Sequence, residues 1–218
     1  MLFRDRSEAG QLLAARLSAL KDDPTVIVLG IPRGGVVVAA EIARALNAPL
    51  DIFIAHKIGA PFNPELAIGA LTSNGDVLLD EDLIDELQLH RDEITREVAS
   101  QRAEIARRLE MFRKDRPPLG VAGKTVVLVD DGVATGSTVL AALRALRKQS
   151  PARLILAIPV GPAETVARLA RECDETMVLA TPEPFWAVGR FYFRFDQTQD
   201  DEVIALLDNT TRRTKMPS

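Results

Sequence analysis

The chain has 218 residues, 47% of them hydrophobic and 27% charged, with a net charge of −4. It is long enough to bury a substantial core as one α/β domain, and its acidic balance argues against a general nucleic-acid binder. One cysteine, Cys173, excludes an internal disulfide, and two histidines make a zinc site a poor fit; with no secretory leader and no apolar run near the roughly 20 residues of a membrane helix, a cytoplasmic chain without a membrane partner is expected.

In chain order, Ser7 to Leu20 predicts an amphipathic helix with Leu12, Leu13, Leu17 and Leu20 on its apolar side. Val26 to Leu29 reads as a short buried strand. Gly30-Ile-Pro-Arg-Gly-Gly35 turns into a helix, Val36 to Leu46, which Asn47 and Pro49 stop. Ile52 to Ala55 is a second strand, with Lys57 at its end. Ile68 to Leu71 and Val77 to Leu79 predict a hairpin turning at Asn74-Gly75. Glu81 to Lys114 is a long polar helical region with an apolar stripe of Ile94, Val98, Ile105, Leu109 and Phe112. Val126 to Val129 is a buried strand and Val139 to Leu146 a helix. Strand Arg153 to Val160, helix Glu164 to Glu172 and strand Thr176 to Leu179 follow, and the polar, basic tail after Asn209 is expected to fray. This alternation predicts a parallel sheet with helices on both faces.

Two strand ends carry chemistry. Asp130 and Asp131 follow the strand Val126 to Val129, and a loop of small and hydroxyl residues leads from them into a helix. Ligands of open α/β sheets sit at the carboxyl ends of strands, and a helix amino terminus is an anion site. Ionised carboxylates accept hydrogen bonds from neighbouring hydroxyls, so two acids beside an anion cradle suit a sugar phosphate. Gly136 lets backbone approach an oxyanion, and Thr135, Ser137 and Thr138 add hydroxyl donors. No Lys follows Gly136 and the Gly132–Gly136 spacing is one residue short, so a nucleoside-triphosphate loop is disfavoured. The plain alternative is a strand-to-helix turn with a polar Asp-Asp cap. At the other strand end, Gly34 and Gly35 permit close contact with an anion and Arg33 can reach one with a planar fork. A glycine turn with a surface Arg would carry the same letters. The only Trp and the only Tyr lie in Thr181 to Tyr192, which suits either a hood that stacks a flat base or a satellite apolar cluster.

The run VVLVDDGVATGST at 126–138 resembles the signature of the type I phosphoribosyltransferase family for 5-phosphoribosyl 1-diphosphate (PRPP). Phe3-Arg-Asp-Arg6, Pro32-Arg-Gly-Gly35 and Asn63-Pro-Glu-Leu-Ala-Ile-Gly69 extend the resemblance, over nearly the whole chain, to an unassigned bacterial group of that family. It implies a single domain over 1–218: an α/β phosphoribosyltransferase core with a parallel sheet and helices on both faces, a lid insertion at 58–122, and a small C-terminal hood and tail at 180–218. Asp130 and Asp131 would be the catalytic pair that holds the ribose hydroxyls. Val133, Ala134, Thr135, Gly136, Ser137 and Thr138 would wrap the 5′-phosphate. Arg33, Gly34, Gly35 and Lys57 would bind pyrophosphate, and Phe185, Trp186 and Val188 the base. Mg²⁺ would be bound mainly through PRPP, with no metal site of the protein's own, and a homodimer is the expected assembly. The implied reaction moves ribose 5-phosphate from PRPP to an unidentified acceptor, a nucleobase being one candidate, and releases pyrophosphate. The alternative is a regulatory module that binds PRPP without turnover. Ala134 departs from the Asp of the 6-oxopurine enzymes, which disfavours guanine or hypoxanthine.

Overall fold

The computed structural model describes residues 2–73, 75–114 and 116–214, with backbone alone for 64, 65, 67 and 210–214. The chain opens with α1 (Arg6–Arg16), β1 (Val26–Gly30), α2 (Gly34–Leu46) and β2 (Leu50–Ile52). A second group follows: β3 (Ala55–Ala60), β4 (Asn63–Thr72), β5 (Val77–Leu79), α3 (Glu81–Glu86) and α4 (Arg91–Arg113). The chain then forms β6 (Thr125–Val129), α5 (Ser137–Lys148), β7 (Arg153–Val160), α6 (Ala163–Leu169), β8 (Glu175–Ala180) and α7 (Asp200–Thr214).

The first sheet has five parallel strands in the order β2-β1-β6-β7-β8. Its central strands are buried on both faces, which is why they read as unbroken apolar runs. Side chains alternate across the sheet. Val26, Val28, Val127, Val129, Ile155 and Ala157 join the core under α1, α2 and α7. Ile27, Leu29, Val126, Leu128, Leu154 and Leu156 face the other way and meet Val139, Leu143 and Leu146 of α5. A second, antiparallel sheet runs β3-β4-β5.

Several expectations change. Leu12 points outward at 46% exposure, and Ala9, Leu13 and Ala14 form the buried face of α1 instead. The predicted second strand divides. Phe53 donates to the Gly30 carbonyl at 3.0 Å, Ser73 donates to Ile54 at 2.8 Å, and the chain passes from one sheet into the other. Lys57 therefore lies within β3 rather than at the end of a parallel strand. The long polar helix breaks at Gln88, whose φ is 51°, and Asp80 caps the first piece through Leu83 N–H at 3.1 Å. The turn residue Asn74 lies outside the described residues. The tail is helical through Thr214, with Val203 and Leu207 buried; residues 215–218 lie outside the description.

Candidate active site at the carboxyl edge of the sheet

β1 and β6 are parallel neighbours in register, with Gly30 opposite Val129. The loops that leave them therefore run side by side, and Ile31 N–H donates to the Val129 carbonyl at 2.9 Å. One loop is Pro32-Arg33-Gly34-Gly35, whose Pro32–Arg33 peptide is cis; the other begins at Asp130. The two touch. A Cβ on Gly34 would overlap the Asp131 carboxylate, and one on Gly35 would come 2.9 Å from both Cα and Oδ1 of Asp130. The paired glycines are thus a steric condition for the acid pair lying there at all.

Each acid is held. Asp130 Oδ1 accepts the N–H of Asp131 at 2.9 Å. Asp131 Oδ2 accepts from Arg6 Nε at 2.7 Å, and the Asp131 carbonyl accepts the Tyr192 hydroxyl at 2.6 Å. Burial and the neighbouring Asp131 charge push the Asp130 carboxyl well above the usual carboxylate range. Burial also raises Asp131, while the Arg6 guanidinium pulls it back down. Burial, reinforced by Asp131, holds the Tyr192 hydroxyl protonated.

Two helix starts belong to the loops that carry or touch these acids. α2 begins at Gly34 and α5 at Ser137, and neither has a side-chain cap. The first N–H groups of a helix have no partner within it, and the macrodipole adds positive potential there. Gly136 takes the left-handed conformation (φ 71°) that starts α5. Ala134 and Thr135 are exposed, and Ser137 and Thr138 are half-buried. Thr165 of α6 bonds the Ala134 carbonyl at 2.9 Å, Arg168 bonds the Thr135 carbonyl, and Thr135 Oγ1 lies 3.4 Å from Ser137 Oγ. Val133 differs from its neighbours. Its side chain is buried and its N–H goes to Val160 at 2.9 Å, so it anchors the loop from behind and brings no free donor.

The other predicted residues spread out. Arg33 Nη1 lies 3.7 Å from Asp200 Oδ1, at the start of α7. Lys57 lines a cavity of about 460 Å³ with Glu93, Arg96, Glu97 and Gln101, and that lining includes neither acid. Val188 abuts Gly132, where a Cβ would meet its Cγ1 at 2.5 Å. Phe185 stacks on Phe191 with centroids 5.0 Å apart, and Trp186 is 77% exposed. The sequence reading singled out neither Tyr192 nor Arg6 as a site residue. Phe3-Arg-Asp-Arg6 was visible as a motif, but nothing local tied it to an acid 125 positions away.

Comparison with known proteins gives the family. Residues 7–189 match the model of the phosphoribosyl transferase domain. Two proteins of Mycobacterium tuberculosis, from strains H37Rv and CDC 1551, carry provisional names as phosphoribosyl transferases. Each is 45% identical over 211 residues, 97% of this chain and 47% of the relative, so the chain spans about half the length of the curated relatives it matches. The crystal structure of TT1426 from Thermus thermophilus superposes with a TM-score of 0.85 at 43% identity, covering 95% of this chain and 98% of that one. By its paired acids, its two glycine loops and these likenesses, the chain belongs to the phosphoribosyl transferase domain family.

Proposed function

We propose that this chain binds PRPP and transfers its ribose 5-phosphate to an acceptor, releasing pyrophosphate. One observation carries the reading: an uncapped helix start at Gly34 touches the adjacent acids Asp130 and Asp131, and a second uncapped start, at Ser137, ends the loop that leaves them. PRPP has the matching order of groups, a 5′-phosphate, a diol and a diphosphate. The α5 start, with Ala134, Thr135, Gly136, Ser137 and Thr138, receives the 5′-phosphate. Asp130 and Asp131 hold the ribose hydroxyls. The α2 start, with Gly34 and Gly35, receives the diphosphate, and Arg33 turns from Asp200 to meet it. An exposed ion pair is worth at most about 1 kcal/mol, so that exchange costs little.

As the bond to pyrophosphate breaks, negative charge grows on the leaving group and the ribose becomes oxocarbenium-like. The Gly34 and Gly35 N–H groups and Arg33 stabilise the first charge. The acid pair fixes the ring through its hydroxyls and aligns it for attack. The donors here are two carboxylates, one already bridged to Arg6, which suits a Mg²⁺ ion that arrives with the diphosphate and keeps its waters. That ion would neutralise the diphosphate. Val188, beside Gly132, and Phe185 are the hood residues best placed for an acceptor base. Trp186, being exposed, would reach one only by moving. We assign the second sheet with α3 and α4 as the lid.

Calorimetry with PRPP and Mg²⁺, followed by a pyrophosphate-release assay over a panel of bases, tests the proposal. Release with any base supports the transferase. Binding without release for every base turns the assignment to a regulatory PRPP module. The Asp130→Asn/Asp131→Asn double variant is expected to stay folded and to lose at least about tenfold in PRPP affinity, as the loss of charged hydrogen bonds requires. Unchanged affinity in that variant rejects the role of the acids.

A further inference from the structure

Arg6 has no part in the reaction as described, yet it is one of the most enclosed cations in the chain, with 12% of its side chain exposed. Its guanidinium makes three contacts with segments remote in sequence. Nε donates to Asp131 Oδ2 at 2.7 Å, Nη1 donates to the Asp196 carbonyl at 2.8 Å, and the group lies 3.8 Å from the centre of the Phe195 ring. Phe195 in turn stacks on Tyr192, with centroids 4.9 Å apart, and Tyr192 holds the Asp131 carbonyl. Asp131 is therefore gripped at its side chain and at its main chain by two residues that touch the same ring. Asp5 directs this arrangement from below, since it caps α1 through Glu8 N–H at 3.0 Å and so sets the direction in which Arg6 leaves the helix. Gly34 leaves room for the bridge, because a Cβ there would come 2.8 Å from Arg6 Nε.

We infer that Arg6 is a positioning residue: it fixes the Asp131 carboxylate with one oxygen engaged and the other left to accept a ribose hydroxyl, and it ties that acid to the C-terminal segment through Phe195 and Asp196. The inference rests on the proposed ribose-binding role of the acids. Its chemical sense lies in the pairing of two neighbouring carboxylates in an enclosed site. The Arg6 bridge holds one Asp131 oxygen at 2.7 Å, and a carboxylate fixed in advance loses less freedom when a hydroxyl arrives. Among the described residues, the charged and titratable groups that face Asp131 are Arg6 from α1, Asp130 from its own loop and Tyr192 from the C-terminal segment.

The test compares two probes, ribose 5-phosphate and 2,3-dideoxyribose 5-phosphate, which lacks both hydroxyls. Calorimetry is run on the full chain and on its Arg6→Gln and Arg6→Lys variants, with melting curves to confirm folding. Arg6→Gln should weaken ribose 5-phosphate by about tenfold, the value of one charged hydrogen bond, and leave the dideoxy sugar unchanged. Arg6→Lys should recover part of the loss. Equal losses for both sugars would make Arg6 a merely structural residue and overturn the inference, as would no loss for either. If Arg6→Gln does not fold, Tyr192→Phe, which releases the other grip on Asp131, must show the same selective loss or the inference fails. A parent chain that cannot tell the two sugars apart removes the ribose role of the acids, and this inference with it.

Discussion

Asp130 lies where two effects agree in sign. Burial and the charge of Asp131 both favour its neutral form, and Arg6 opposes them only partly. Its folded pKa is therefore above the ordinary 3.8, and the folded chain holds a proton that the unfolded chain has already lost. Stability must then fall as pH rises through the window between those two values. Asp130→Asn removes that penalty. The variant is expected to be more stable than the parent at neutral pH, each tenfold in proton affinity being worth about 1.4 kcal/mol, and the gap should close toward about pH 4. Urea denaturation at a series of pH values checks this, and a gap independent of pH would reject it. The same residue is thus costly to the fold and proposed as necessary to the site. At this scale the acids and glycines were legible, because strand, acids, small-residue loop and helix are contiguous in sequence. Arg6 and Tyr192 were not. Their partners lie 125 and 61 positions away, and no periodicity or turn chemistry spans such distances.

Helix α7 makes the corresponding point for elements. Its signals are present in the sequence: Asp200, Asp201 and Glu202 suit a helix start, and Val203, Ile204, Leu206 and Leu207 share one side at helical spacing. The sequence alone places them in the C-terminal hood and tail at 180–218, because the apolar face of a single helix is defined only when α2 and α4 are there to receive it. Strand β2 failed in the opposite way. Ile52 to Ala55 is one apolar run, and only the bonds of Phe53 to Gly30 and of Ser73 to Ile54 divide it between two sheets. The placement of α7 has a consequence for the site. Asp200 pairs with Arg33 at 3.7 Å while both are substantially exposed, so under the proposed function it would compete with the diphosphate for that cation. Asp200→Asn should change stability by less than about 1 kcal/mol and tighten PRPP binding by a few fold. Arg33→Ala should weaken it. Calorimetry distinguishes the two, and weaker binding by Asp200→Asn would mean that Asp200 presents Arg33 rather than withholding it.

For the molecule as a whole, the N-terminal segment and the stretch before α7 form one structure. Phe3 bridges Tyr192 in parallel, Leu2 and Phe3 N–H groups both reach the Phe191 carbonyl, and Phe193 and Arg194 donate back to Phe3 and Arg4 at 2.8 and 2.9 Å. Beneath that pairing, Phe3, Ala9, Val160 and Tyr192 form a small core separate from the two that sandwich the main sheet. The sandwich was readable from composition and alternation, since each strand's burial is a local property. This third core was not, because it exists only after the sheet has brought residues 2–4 and 191–194 to the same edge. It bears on Asp131 through Arg6 and Tyr192, whereas Leu146, in the core under α5, lies at the far end of its helix from the loop proposed to hold the 5′-phosphate. Phe3→Ala and Leu146→Ala each remove a buried apolar side chain and should each cost about 2–5 kcal/mol. At matched stability, set by temperature or a low concentration of urea, their effects on the site should diverge. Phe3→Ala loosens the ring stack behind Arg6 and should lower ribose 5-phosphate affinity several fold, while Leu146→Ala should leave it close to the parent value. Equal affinities in the two variants would show that this pairing stabilises the fold without transmitting anything to the acids.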